Sequence, residues 1–117
     1  MANIHIKEAA NNMRKAVSDV RQLMQQTQAD AVRTQRELEQ HIHDLESRKN
    51  VLQQQMRRSE GVGDAEIAVM SQRIDDEIRE LSQQITTLKA DSARQSQELD
   101  KQAYDFDSLA NRLDMMA

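Results

Sequence analysis

The side chains with most capacity for chemistry are three histidines, a short acidic run and a basic cluster. A metal or a proton relay needs groups that converge on one point. His41 and His43 are two residues apart. On a helix they point roughly 200° apart and cannot share an ion. Helical di-metal sites use Glu-x-x-His, and no Glu precedes any of the three histidines by three residues. Glu39 and His43 are four apart and share a helix face, which is a single pair and no cage. Asp75-Asp76-Glu77 with Glu80 offers four carboxylates. On one helix they fan outward, whereas a divalent cation needs converging oxygens. They read as a solvated face, with Asp75 to Arg79 and Asp44 to Arg48 at the favoured acid-first spacing of four. The sequence has no glycine-rich phosphate loop. Without a concave pocket, no Ser, His and Asp arrangement can be assembled. The expectation is no enzyme, no metal, no cofactor and no small-molecule substrate.

Arg48, Lys49, Arg57 and Arg58 cluster near the middle of the chain and raise nucleic-acid binding as a further reading. Against it stand a net charge of −4, the near-absence of aromatic residues for base stacking, and acids expected alongside. Those acids are Asp64, Glu66, Asp75 and Asp76. Membrane attachment lacks the basic polar face and Trp or Phe anchors of a surface-lying helix. No apolar run approaches the roughly 20 residues of a span. The first residues show no basic start followed by an apolar stretch, so a cytoplasmic protein is expected, with signal-less export as the alternative. With no cysteine, disulfides are excluded and the redox compartment is unreadable.

The elements that carry these residues are helical. The chain of 117 residues has no Pro, two Gly, 2% aromatic and 31% charged residues. Such composition suits long, solvated helices more than a globular core. The periodic apolar residues argue against disorder. Gly61 and Gly63 divide the chain nearly in half. Arg57 and Arg58 suit a helix C-terminus, Asp64 an N-cap and Glu66 a first helical turn. The expected organisation is one domain over residues 1–117, with helix 1 at about 4–59, a turn at about 60–63 and helix 2 at about 64–115.

Each half carries one heptad frame. In the first, position a falls at Ala10, Val17, Met24, Ala31, Leu38, Leu45 and Leu52. Position d falls at Ile6, Met13, Val20, Thr27, Thr34, His41 and Arg48. Beyond residue 38 the stripe drifts to position e, at Ile42 and Met56. In the second half, position a holds Ser71, Ile78, Ile85, Ser92, Leu99, Phe106 and Leu113. Position d holds Ile67, Ile74, Leu81, Leu88, Gln95, Gln102, Leu109 and Met116.

Three features favour pairing of the two halves as an all-α antiparallel coiled-coil hairpin. Residues 1–59 carry 10 basic and 7 acidic side chains, and residues 60–117 carry 6 and 13, so the halves are opposite in charge. The polar stretches Thr27, Ala31, Thr34 and Ser92, Gln95, Gln102 come to similar heights, where polar groups can meet. The alanine pairs 9/110 and 16/103 share the sum 119. The rival is one continuous rod. It is disfavoured because Leu52 to Ile78 is three heptads plus five residues, a step coiled coils absorb poorly.

The apolar stripe widens toward the termini. Ile6, Ala9, Ala10, Met13, Ala16, Val17, Val20, Leu23 and Met24 span positions g, a and d. Leu99, Ala103, Phe106, Leu109, Ala110, Leu113 and Met116 span a, d and e. A two-stranded seam needs only a and d. The surplus predicts a second copy in a four-helix bundle, or a helical partner protein. The expected contact residues are Ile6, Met13, Val17, Val20, Leu23, Leu99, Phe106, Leu109, Leu113 and Met116, with Gly61, Gly63 and Asp64 forming the turn. In length and outline the chain resembles the stalk-like hairpins of bacterial type III export machines and small secreted hairpins with a Trp-x-Gly turn. The turn Ser59-Glu60-Gly61-Val62-Gly63-Asp64 has no tryptophan, so no family residues are carried over. The function expected is a scaffold or interaction protein, or alternatively a small chaperone or secretion accessory factor that holds a client helix.

Overall fold

A computed structural model describes residues 2–58 and 63–117. It contains two helices, α1 (Ala2–Arg58) and α2 (Asp64–Met116), which form an antiparallel hairpin. The chain is therefore a hairpin and not one continuous rod, and its two halves pair as charge and periodicity predict. The expected turn residue Gly61 lies outside the described residues. Gly63 has φ of 81°, a left-handed conformation that a side chain would strain. Its carbonyl accepts the Ile67 N–H at 3.0 Å, so Gly63 itself caps α2. Asp64, expected as the N-cap, is the first helical residue instead. There its charge still complements the helix dipole.

The hairpin consists of two compact units. The terminal half joins Met1–Ala31 to Ala90–Ala117, and the turn half is Val32–Lys89. In the terminal half, Ala10, Val17, Ala103 and Ala110 are buried. In the turn half Leu45 alone among the described residues is, at 3% exposure. The remaining seam residues are half-buried, as expected when one helix covers just one stripe of another.

The seam is the stripe of half-buried and buried positions at alternating steps of three and four, with half-buried Ala9 and Ala16 beside it. Along α1 they run through Ile6, Ala10, Met13, Val17, Val20, Met24, Thr27 and Ala31, then continue at Gln35, Leu38, Ile42, Leu45, Lys49, Leu52 and Met56. The steps alternate four and three until 27, 31 and 35, where two fours follow each other. That makes an eleven-residue step, the period of a less tightly wound stripe. The slip to position e thus begins at Gln35, earlier than expected, and Thr34, His41 and Arg48 are exposed. His41 is on the surface and does not belong to the seam.

Helix α2 makes the same slip. Its seam runs through Ile67, Ser71, Ile74, Ile78, Leu81, Ile85, Leu88 and Ser92, then Ser96, Leu99, Ala103, Phe106, Ala110 and Leu113. Gln95, Gln102, Leu109 and Met116, expected in the seam, are exposed. Ala103 and Ala110, expected to flank it, are its most buried members.

Register follows from two hydrogen bonds. In the terminal half Gln28 Nε2 donates to Ser96 Oγ at 3.1 Å. In the turn half Lys49 Nζ donates to Asp75 Oδ1 at 2.6 Å. Both pairs of residue numbers add to 124, against the 119 expected from the alanines, and the long Arg14 side chain reaches four residues farther, to Asp114. The polar pair that meets across the helices is Gln28 with Ser96, neither of them in the stretches expected to meet, and Thr34, Gln95 and Gln102 of those stretches are exposed.

Candidate interaction surfaces

The terminal half has two unlike flanks. On one, Arg14 Nη2 donates to Asp114 Oδ2 across the pair, and Arg14 Nη1 also reaches Asn11 Oδ1 at 3.3 Å. The same rows carry Arg21 and Gln28 on α1 and Asp107 and Asp100 on α2 at a spacing of seven, although Gln28 bonds Ser96 and not an aspartate. A spacing of seven is nearly two helical turns, so each row stays on one side of the seam. The charge asymmetry between the halves of the sequence is here a local contact. At this exposure such a pair contributes about 0.2–1 kcal/mol.

The Arg14–Asp114 contact also fixes which rows meet on the other side. Each seam stripe has one row just before it and one just after. The rows after the stripe form the charged flank. The rows before it, Ala9, Ala16 and Leu23 on α1 and Gln102, Leu109 and Met116 on α2, form the opposite flank. Ala9 and Ala16 are half-buried. Leu23 is 51% exposed, Leu109 43% and Met116 67%. This flank is apolar and open.

The ten expected contact residues therefore divide. Val17 is buried inside the pair, and Ile6, Met13, Val20, Leu99, Phe106 and Leu113 are half-buried in the seam. These belong first to the hairpin. Leu23, Leu109 and Met116 stand outside it. The width seen in the sequence is real, but on α2 it lies at position d, because the seam has moved to e.

The turn half carries an apolar surface that the heptad frame missed. A groove of about 560 Å³ runs between α1 and α2 there, lined by Leu45, Val51, Leu52, Met70 and Ile74, with Arg48, Arg73 and Glu77 at its edges. Val51 is 53% exposed and Met70 48%. The available signal was the adjacency of Val51 to Leu52, one residue off the stripe. The frame treated this stretch as a narrow seam.

The chemistry-bearing side chains are dispersed over surface pairs. Asp75 meets Lys49, not Arg79. Arg79 lies 3.9 Å from Asp76, which also accepts from Gln72 at 3.0 Å. Asp44 accepts from Gln40 at 3.1 Å and Glu39 from Gln35 at 2.9 Å. His5 lies 4.0 Å from Glu8. Among the described residues no three His, Asp or Glu side chains gather as a metal site. Lys49, one of four basic residues near the turn, has its charge offset by Asp75. No helix among the described residues is long and apolar enough to cross a membrane.

These features define an all-α antiparallel helical hairpin whose terminal half has one open apolar flank and one charged flank, and whose turn half carries an apolar groove. No protein-family model, curated protein or solved structure matches the chain.

Proposed function

We propose that this chain is a non-enzymatic interaction protein that works by burying the open flank of its terminal half against helices of another polypeptide. The observation that carries the reading is the exposure of Leu23, Leu109 and Met116 on one flank, opposite the Arg14–Asp114 contact. Surface area supports it. A compact monomer of this mass exposes roughly 6,500 Å². This chain exposes 8941 Å². The excess is roughly 2,400 Å² over both units together, and the terminal flank accounts for part of it. Burial of apolar area supplies the driving force at about 25 cal/mol per Å² before the cost of association.

The test is site-directed photo-cross-linking in cells that make the protein. A photoreactive residue at Leu109 should give discrete protein adducts, and the same residue at Asp107, on the charged flank, should not. Equal labelling from both positions, or none from 109, would overturn the reading.

A second reading rests on the groove of the turn half. Val51 and Met70 beside Arg48 and Arg73 suit an amphipathic client helix with acidic residues along its edge, in the manner of helix-in-groove recognition. The double variant Val51→Lys with Met70→Lys should abolish binding of such a helix while leaving the terminal flank active. Unchanged binding would remove this reading.

A further inference from the structure

We infer that the occupant of the open flank is a second copy of this chain, set alongside the first so that α1 of each copy lies against α2 of the other. The inference rests on the proposed interaction role and names its partner and geometry.

The argument is one of size at matched heights. The Gln28–Ser96 register places Ala16 level with Leu109, and Ala9 level with Met116, to within one residue. At those two heights α1 presents small side chains where α2 presents large ones, and farther along the flank Leu23 of α1 stands level with Gln102 of α2. A two-fold axis parallel to the helices lays α1 over the second copy's α2 at the same height. Leu109 of each copy then enters the space beside Ala16 of the other, and Met116 the space beside Ala9. Alternating large with small side chains is how packed interiors reach their density.

The other two-fold arrangement has its axis across the helices. It lays α2 over α2, whatever the height of the axis. Leu109 would then face only Gln95, Gln102, Leu109 or Met116 of the second copy, and never an alanine. The Ala9 and Ala16 row would face α1 and leave a gap beside that bulge. Cavities and overpacking both destabilise. Only one flank of the terminal half is apolar, because Arg14 and Asp114 with their heptad repeats occupy the other. A single self-complementary patch closes as a dimer and does not propagate into a filament.

The chain has no cysteine, so introduced thiols report cleanly. Ala16→Cys and Leu109→Cys are prepared as separate full-length chains, mixed under reducing conditions, allowed to exchange, and then oxidised. The mixture should give a disulfide-linked dimer of unlike chains, and each variant alone should give little. The unmodified chain should show twice 13.5 kDa by light scattering. Ala9→Cys mixed with Met116→Cys repeats the test at an independent height, in case Leu109→Cys weakens the contact. Linkage of Ala16→Cys to itself, as efficient as the mixed reaction, would overturn the side-by-side geometry. A monomeric mass at high micromolar concentration with no linkage would overturn the second copy as occupant. If adducts from position 109 in cells nevertheless contain a different protein, the interaction role survives and only the self-pairing falls.

Discussion

The terminal and turn halves use the same two helices in opposite ways. In the turn half the seam holds the large side chains Leu38, Ile42, Leu45, Leu52, Ile78, Leu81 and Ile85, and its one buried member among the described residues is Leu45. In the terminal half the most buried positions are alanines, Ala10, Ala103 and Ala110, with Val17. Small residues at the axis let the helices approach. The larger apolar residues nearby, Leu109 and Met116, are then displaced to the flank. The turn half buries a leucine most deeply and the terminal half buries alanines most deeply, with Leu109 and Met116 left on its flank.

The contrast breaks most strongly under changes of core volume. Leu45→Ala removes the most buried large side chain of the turn half and should cost about 3 kcal/mol of unfolding free energy. Ala103→Leu adds volume where the terminal half has none to give, and should cost about 2 kcal/mol. Chemical denaturation followed by helicity measures both. If Ala103→Leu proves stabilising, the alanine seam is looser than its burial indicates and the contrast fails.

Leu109→Asp and Leu81→Asp separate assembly from folding. Leu109 stands outside the seam and Leu81 within it. Leu109→Asp should weaken self-association at least about 30-fold, or about 2 kcal/mol, while leaving monomer helicity intact. Leu81→Asp should lower the thermal midpoint of the hairpin itself. Sedimentation and circular dichroism on the two variants report the two effects. Equal loss of helicity would show that Leu109 serves the hairpin core.

Two smaller changes sharpen the picture of the turn half. Ser71 Oγ is buried in the seam with no hydrogen-bond partner. Ser71→Ala removes that unpaired group and raises helix propensity, so a gain of about 1 kcal/mol is expected in denaturant titration. Gly63→Ala should lose about 1 kcal/mol. Nothing lies within 4 Å of the added methyl, so the cost is in the backbone, which must hold φ of 81° with a side chain present. A neutral result would mean that this turn relaxes to another conformation.

The hairpin, the division near the glycines and the opposed charges of the two helices were legible in the sequence, because all three rest on patterns many residues long. The seam slip was not. A one-residue shift from d to e turns a helix face by about 100°, and the residues that carry it are poor apolar markers. Gln35 and Lys49 sit at seam positions of α1, Lys49 by burying its stem while its ammonium reaches Asp75. Ser96 marks the slip on α2, and Ala103 and Ala110 confirm it. Alanine is compatible with both flank and core, so hydropathy alone could not choose. The groove at Val51 and Met70 was missed for the same reason, since a stripe-based frame discards apolar residues that fall one position off it.

The smallest expected effect distinguishes the two flanks of the terminal half by the sign of their response to salt. The charged flank holds Arg14 against Asp114, and screening should loosen it slightly. The rim of the apolar flank is different. Asp19 on α1 and Asp105 on α2 are both exposed and share the register of Gln28 and Ser96. In the side-by-side dimer each Asp19 comes level with Asp105 of the second copy, so like charges meet. Raising ionic strength from about 50 to 500 mM shortens the screening length from about 14 to 4 Å. Self-association should therefore tighten, by about two- to five-fold, even as the hairpin itself gains nothing. Asp105→Arg should reverse the sign, because it sets a cation opposite Asp19 and makes salt loosen the dimer. Sedimentation equilibrium of both chains across this range reads the slopes. The same slope in the two chains would mean that Asp19 and Asp105 do not meet, and the copies would have to be placed at a different height.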